Sequence, residues 1–186
     1  MTDPFTFVVT LALRVAALIF LFRFILQAAR ASFYNPFCEG IVRITDPVLN
    51  PLRQVLRPYR NLDFASFATA WVAHMAAAAI YAVSVGAPLN VLYILNDSLH
   101  STLSLVVWIF LIAIFLSIVM SWIAPNVYSP AANVAREVAE PLLSPARRIL
   151  PPLGGLDLSP MITVAVLLVI ESFVLGTLLP IRVWAG

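Results

Sequence analysis

The chain of 186 residues contains no lysine, and its 11 basic residues are all arginine. Charged residues make up 11% of the sequence, well below the roughly 25% of an ordinary soluble domain. The net charge of +2 is too small for electrostatic capture of nucleic acid, and the arginines do not form one basic surface. The scarcity of charge therefore argues against a nucleic-acid-binding protein and against a soluble domain.

Cysteine is almost absent as well. The single Cys38 cannot form an internal disulfide, and this excludes a disulfide framework and a cysteine metal site. No segment resembles the HExxH, GxSxG or phosphate-loop motifs, and serine, histidine and carboxylate residues are not gathered together. We therefore expect no catalytic residues, no cofactor and no metal, and predict that the protein is not an enzyme.

Long hydrophobic runs dominate the sequence, which is 62% hydrophobic. About 20 apolar residues suffice to cross a bilayer, and the sequence predicts about four such spans, at residues 5–29, 64–85, 101–123 and 160–179. The segment 87–99 is too short to cross alone, so it is predicted to be a helical extension of the third span or an interfacial segment. The first run is too long for a cleavable signal peptide and lacks its cleavage site.

Part of the chain is repeated. The segments PVLNPLRQVLRPYRNLDF and PLLSPARRILPPLGGLDL begin at Pro47 and Pro141, 94 residues apart, and align without a gap. Pro51, Arg53 and Asp63 reappear at the same spacing as Pro145, Arg147 and Asp157. The sequence thus predicts one structural unit used twice, with a first repeat at 1–86, a connecting segment at 87–100 and a second repeat at 101–186.

The arginines predict the orientation of these repeats. Five lie between the first two spans and three lie between the last two. The positive-inside rule places both of these loops in the cytoplasm. Because both copies enter from the same side, we expect parallel repeats related by a pseudo-twofold axis along the membrane normal. The predicted fold is an all-α membrane protein with two tandem repeats of span, amphipathic cytoplasmic helix and span.

Proline follows a capping residue at four places in the loops. The pairs Asn35-Pro36, Asn50-Pro51, Ser129-Pro130 and Ser144-Pro145 each predict the start of a helix. The patterns after Pro36 and Pro130 are amphipathic, which is typical of helices at a bilayer surface. Two roles stay open: the helices cap the bundle, or they also bind lipid.

Four arginines of these loops are candidate contacts for a partner or for anionic headgroups: Arg53, Arg57, Arg147 and Arg148. Asp63 and Asp157 stand one residue before the second and fourth spans. A carboxylate there can cap exposed N–H groups and interact with the positive end of the helix. We expect both aspartates to be structural.

Arg14, Arg23, His74 and Glu171 lie within the predicted spans, where charges are costly. At 1.5 Å per residue, Arg23 lies about 9 Å and Arg14 about 22 Å from the cytoplasmic end, with His74 and Glu171 at about 15 to 17 Å. Arg23 can snorkel to the surface. Arg14 and Glu171 either form a buried ion pair beside a hydrogen-bonded His74, or line a proton or cation path with it.

The repeated motifs resemble those of the YggT family of bacterial membrane proteins. The resemblance covers nearly the whole chain and is carried by these residues: Asn35, Pro36, Pro47, Pro51, Asp63, Pro130, Pro141, Pro145, Gly154, Gly155, Asp157, Ser159 and Pro160. Arg60-Asn61 departs from the pattern by replacing the Gly-Gly of the second copy. We therefore expect the first loop to turn differently.

The resemblance implies a location and a phenotype. Single-copy members are linked to cell division genes, to cytochrome b6 maturation and to nucleoid or thylakoid organisation. Two-copy members are linked to osmotic-shock tolerance and ion uptake in Gram-negative bacteria. A protein of the bacterial inner membrane is implied, with no established reaction.

Two functions remain open. The first is a scaffold or assembly factor, whose partners are membrane lipids and other membrane proteins. The alternative is a small ion transporter or channel, which with four spans needs a homo-oligomer to enclose a pathway. Haem binding by His74 and His100 is disfavoured, because the sequence places His100 at the far surface, away from His74.

Overall fold

The computed structural model describes residues 3–123, 129–150 and 157–176. Every regular element in these ranges is helical, which confirms the all-α prediction. The helices are α1 (Pro4–Ala28), α2 (Pro36–Arg53), α3 (Phe64–Ser84), α4 (Val91–Ile123), α5 (Pro130–Ile149) and α6 (Ser159–Val169), and a π-helical segment, Ile170–Leu175, continues α6.

Three of these helices, α1, α3 and α4, are long and apolar enough to cross a membrane. The fourth predicted span corresponds to a shorter apolar helix, Ser159–Phe173. That prediction extended to residue 179, and residues 177–186 lie outside the described part of the chain. The described residues thus support three complete spans and the first part of a fourth.

The segment before the third span is helical from Val91, so the predicted helical extension is confirmed. α4 has 33 residues and is about 50 Å long at 1.5 Å per residue. This exceeds the roughly 30 Å of the hydrocarbon core. The extension carries polar side chains onto α3, where Trp71 Nε1 donates a hydrogen bond to Ser98 Oγ at 2.9 Å.

Two of the four predicted helix starts are confirmed. Asn35 Oδ1 accepts a hydrogen bond from Phe37 N at 2.9 Å, and Ser129 Oγ accepts one from Ala132 N at 3.5 Å. Each satisfies an N–H group that has no partner inside the helix.

The predicted starts at Pro51 and Pro145 are wrong, because both prolines lie inside continuous helices, as do Pro47 and Pro141. A proline removes one helical hydrogen bond and crowds the carbonyl group four residues earlier. All four prolines lie on exposed helix surface, and the four-residue spacing within each helix puts its two prolines on one face. At these exposed positions the helix tolerates the lost hydrogen bond and continues past each proline.

The two repeats meet at one end of the molecule. Asn35 Nδ2 donates a hydrogen bond to Pro130 O at 2.8 Å, and the backbone N of Ser32 donates one to Glu137 Oε2 at 3.0 Å. Because α2 and α5 touch, the loops of both repeats lie on the same side. An inverted arrangement of the two copies is excluded.

The core lies between α1, α3 and α4, and α2 and α5 cover it at the end where the two loops meet. Leu21, Ile25, Ala70, Ile109 and Val138 are among its buried residues. An apolar cavity of about 340 Å³ lies where the repeats meet. Its lining includes residues from both repeats that are 94 positions apart: Leu18 and Ile112, Ile19 and Ala113, Phe22 and Leu116, Phe37 and Ala131, Ile41 and Ala135. This pairing places the cavity on the pseudo-twofold axis.

The first loop turns tightly at the position where it departs from the family pattern. Arg60 has a φ of 52°, in the left-handed region that favours glycine. Backbone hydrogen bonds of 3.0 Å join Tyr59 and Leu62 in both directions. Gly154 and Gly155 of the second copy lie in 151–156, outside the described residues.

Candidate functional site

A chain of ion pairs holds the first elbow, the name used here for residues 29–63 with α2. Arg53 pairs with Asp63 through Nη2 and with Asp46 through Nη1, at 3.4 Å for the second contact. The side chain of Asp63 is fully buried, and that of Arg53 is 21% exposed. Ser66 Oγ donates a further hydrogen bond to Asp63 Oδ2 at 2.7 Å.

These contacts set the charge state of the buried pair. Burial acts to raise the pKa of Asp63, but the hydrogen bonds from Arg53 and Ser66 outweigh it, and the pKa lies below its usual value of 3.8. The hydrogen bond to Asp63 raises the pKa of Arg53 more than burial lowers it. Both groups are therefore charged at neutral pH.

The second elbow, defined as α5 with the flanking residues 129 and 150 and residues 157–158, repeats this arrangement near solvent. Arg147 Nη1 lies 2.8 Å from Glu140 Oε1, and its Nε lies 2.9 Å from Asp157 Oδ2. The exposed fractions of the Arg147 and Asp157 side chains are 38% and 37%. A hydrogen bond from Ser159 lowers the pKa of Asp157, with a further contribution from Arg147.

The two aspartates differ as helix caps. Asp157 Oδ1 accepts a hydrogen bond from the backbone N of Ser159, the first residue of α6, at 2.9 Å, with Leu158 in the N-cap position. Asp63 precedes α3 but its side chain makes no capping hydrogen bond to the backbone. The expectation of a cap at Asp63 is thus wrong, because Arg53 and the Ser66 hydroxyl take its oxygens.

The ion pairs divide the four candidate contact arginines into two kinds. Arg53 and Arg147 hold carboxylates of their own elbow, so their guanidinium groups serve the fold. Arg57 and Arg148 are exposed, and neither forms an ion pair within the described residues. Of the four arginines, Arg57 and Arg148 therefore have side chains that can contact headgroups or a partner.

Arg23 is buried below the first elbow, so the expected snorkelling to the surface is wrong. Its Nη2 lies 3.3 Å from Asp46 Oδ1, and its guanidinium carbon lies 5.2 Å from the centroid of the Phe33 ring. Asp46 is supplied by α2, which folds back over the end of α1. Arg23 therefore joins a network with Asp46, Arg53 and Asp63.

The remaining polar residues of the spans line one cavity. Its volume is about 530 Å³, and Arg14, His74, His100, Ser104 and Glu171 contribute to its wall. These side chains come from α1, α3, α4 and the π-helical segment. The structure thus brings Arg14, His74 and Glu171 together, as both sequence hypotheses required.

Arg14 and Glu171 nevertheless form no ion pair with each other in the described part of the chain. Arg14 is exposed, whereas Glu171 Oε2 and Ser104 Oγ are buried without a hydrogen-bond partner among the described residues. An unsatisfied buried polar group is unfavourable. These two atoms therefore require a polar molecule in the cavity, or a polar group of another protein, as a hydrogen-bond partner.

His74 is linked to α4 through the hydroxyl group of Thr102. His74 Nδ1 lies 2.8 Å from Thr102 Oγ1, and that hydroxyl donates its proton to Ser98 O at 2.7 Å. When the single hydroxyl proton goes to Ser98 O, Nδ1 is the donor toward Thr102. Nε2 of a neutral His74 is then a hydrogen-bond acceptor.

His100 is not separated from His74 as expected. It lies within α4 and lines the same cavity as His74. Trp108 also lines it and is the repeat equivalent of Arg14, since the two are 94 positions apart. The four-residue spacing of His100, Ser104 and Trp108 is a signal that could have shown this common face.

Metal binding finds no support in the described ranges. They contain no group of three or more histidine, cysteine, aspartate or glutamate residues arranged to hold a metal ion. Cys38 is buried in the core. Burial raises the pKa of its thiol, which makes it a poor ligand and a poor nucleophile.

Two helical repeats, each with an apolar hairpin and an amphipathic elbow, define an all-helical membrane protein built by duplication. The chain belongs to the CCB3/YggT family, whose model matches residues 2–83 and 96–178. These two matches begin 94 residues apart and confirm the repeat and the resemblance.

Similar proteins cover most of the chain. An uncharacterised protein of Pseudomonas aeruginosa, PA0392, is 39% identical over 163 residues, 87% of this chain and 83% of that protein. The uncharacterised protein YggT of Escherichia coli K12 is 33% identical over 170 residues, 91% and 88% of the two chains. An uncharacterised protein of Haemophilus influenzae is 34% identical over 171 residues, 91% of each chain. No solved structure matches.

Proposed function

We propose that this protein is a non-enzymatic scaffold or assembly factor of the bacterial inner membrane. Its two elbows face the cytoplasm and contact membrane lipids and other membrane proteins. The physiological setting is tolerance of osmotic or ionic stress, as the family resemblance implies. The observation that carries the proposal is the rigid joining of the two amphipathic helices, which hydrogen bonds connect to each other and ion pairs anchor to the spans.

The surface of α2 supports an interaction role. Ile44 on α2 is 64% exposed, whereas Val138, its equivalent 94 residues later on α5, is fully buried. Phe37 and Val48 are also exposed. α5 thus packs its apolar face inside the molecule, while α2 offers part of its apolar face to a bilayer or a partner.

Two exposed arginines add positive charge at the elbows. Arg57 follows α2 and Arg148 lies in the last turn of α5, and both are exposed. Guanidinium groups bind phosphate oxygens in a planar, two-pronged geometry. Together with the apolar face of α2, they suit an interface that contains anionic phospholipid.

The test compares wild-type protein with Arg57→Glu/Arg148→Glu. Affinity purification from native membranes, followed by identification of bound proteins and lipids, should show loss of partners or of anionic phospholipid. Ion flux in liposomes should stay at the wild-type level. The matched control, Arg57→Lys/Arg148→Lys, keeps the charge but not the two-pronged geometry, so it should bind more than the Glu variant and less than the wild type. An unchanged set of partners and lipids in the Glu variant would contradict the proposal.

The second candidate is a small oligomeric ion transporter or channel. The cavity at Arg14, His74 and Glu171 favours it, since charged residues within a span commonly mark ion or proton pathways. Glu171→Gln should then reduce ion flux in liposomes and leave binding at the elbows unchanged. Wild-type flux in a folded Glu171→Gln protein would eliminate this function.

A further inference from the structure

Arg14 carries a charge on the outer surface of a membrane-spanning helix. It lies about 21 Å from the elbow end of α1, at 1.5 Å per residue, and is exposed. Val15, Leu18 and Trp108 beside it are exposed apolar side chains that line the same cavity. The cavity therefore opens on the outer surface of the bundle, where a monomer would present a guanidinium group to lipid.

Glu171 supplies the complementary charge at a matching depth. It lies about 18 Å from the start of α6, within about 3 Å of the depth of Arg14. It is partly exposed, lines the cavity and makes no ion pair with Arg14 in its own chain. One face thus carries a cation and an anion that do not satisfy each other.

We propose that two copies of this chain associate in the membrane through the cleft lined by Arg14, Trp108 and Glu171. A twofold axis along the membrane normal keeps every residue at its own depth. Arg14 of each copy then faces Glu171 of the other, which makes two equivalent ion pairs. Such an interface is isologous, because the same patch is used on both copies.

The neighbouring side chains fit this arrangement. Val15, Leu18 and Trp108 surround the charges with apolar area, and aromatic residues are enriched at the centres of interfaces. Joining the two clefts also encloses the cavities, so that His74 and Ser104 face a shared polar interior and not lipid. The proposal does not depend on whether the protein acts as a scaffold or as a transporter.

The decisive experiment exchanges the charges on separate chains. Two tagged copies of the protein are expressed together, and the amount of one that co-purifies with the other from membranes is measured. The wild-type pair should co-purify. Arg14→Glu with Arg14→Glu, and Glu171→Arg with Glu171→Arg, should each lose about tenfold or more, because like charges then face each other across the interface.

Expressing Arg14→Glu together with Glu171→Arg should restore co-purification. In that heterodimer the two substituted side chains, a glutamate on one copy and an arginine on the other, face each other at the first pair. The unchanged Glu171 of the first variant faces the unchanged Arg14 of the second variant at the other pair. A pair formed within one chain could not be repaired in this way, because each chain would still carry two like charges. Rescue by mixing therefore distinguishes an interface from an internal ion pair.

Cross-linking gives an independent measurement. In a Cys38→Ala background, Val15→Cys should give dimers with a short bis-thiol reagent in native membranes. Val72→Cys, exposed on α3, is the matched control and should not. The proposal is overturned if the wild-type chains do not co-purify, if mixing fails to rescue folded variants, or if the two cysteines cross-link equally. These results do not bear on the elbow arginines, so a failure here is separate from a failure of the scaffold.

Discussion

At the scale of single residues, Arg53 and Arg147 hold equivalent positions and equivalent partners but differ in their surroundings. Arg53 holds an aspartate with no exposed side-chain surface, whereas the partners of Arg147 are 37% and 55% exposed. Water screens the second set of charges and competes for their hydrogen bonds. The same motif is therefore expected to contribute differently to stability in the two repeats.

Arg53→Ala is predicted to lower the free energy of unfolding by about 3 kcal/mol, since it leaves the Asp63 carboxylate buried without its partner. Arg147→Ala should cost about 1 kcal/mol or less. Denaturant unfolding in detergent micelles, followed by circular dichroism, measures both values. Arg57→Ala is the control and should be close to neutral. Equal losses for Arg53→Ala and Arg147→Ala would show that burial does not separate the two repeats.

The pH dependence of the free energy of unfolding is a second test of the ion pair between Arg53 and Asp63. The pKa of Asp63 is below 3.8 in the folded protein, so the folded state binds its proton less readily than the unfolded state. The stabilisation by ionised Asp63 is therefore fully present above pH 3.8 and is lost as the pH falls from 3.8 through the lower pKa of the folded state. Asp63→Asn should lower stability at neutral pH and weaken this loss in acid.

At the scale of the helices, the two elbows depend on caps with different roles. Asn35 is buried; its side chain caps α2 and also joins α2 to the start of α5. Ser129 caps α5 through one long hydrogen bond. The first cap therefore holds the two repeats together, while the second serves one helix.

Asn35→Ala is predicted to lower the free energy of unfolding by about 1 to 2 kcal/mol, and Ser129→Ala by about 0.5 to 1 kcal/mol. Asn35→Asp separates the two contributions, because it keeps the cap but replaces the donor toward Pro130 O with an oxygen atom. It should therefore still destabilise. Thermal unfolding in micelles measures all three variants. Wild-type stability of the Asn35→Asp protein would show that the contact between the elbows contributes nothing.

The prolines show how helices in a protein can differ from local sequence signals. Asn50-Pro51 and Ser144-Pro145 have the composition of helix starts, yet both lie inside α2 and α5. Helix boundaries depend on whether the surrounding structure supplies packing for a continuous helix. Here the prolines face outward, and the inner face of each helix continues past them.

At the scale of the whole molecule, contact between α2 and α5 requires both elbows to lie on one side of the membrane. Cysteines placed at Arg57 and at Arg148 should thus have the same accessibility. On the proposed orientation, a membrane-impermeant maleimide should label Arg57→Cys and Arg148→Cys only after the inner membrane is opened. Wild-type protein is the control, since Cys38 is buried and its thiol pKa is raised. Labelling of the two variants from opposite sides would contradict the parallel repeat.

The architecture of this protein is a property that the linear sequence alone determined. Apolar runs predict membrane helices because burial of hydrophobic surface follows composition, and the spacing of 94 residues shows duplication without any structure. The caps at Asn35 and Ser129 could be predicted as well, since a cap acts on the next turn of its own helix.

Only the tertiary structure decided which charges meet. Asp46 reaches Arg23 because α2 folds back over α1, and His100 lines the same cavity as His74 because α3 and α4 pack together. Both placements depend on packing between different helices, which no local period encodes. Burial at Asp63 and exposure at Asp157 likewise follow from packing between helices, which identical motifs do not specify.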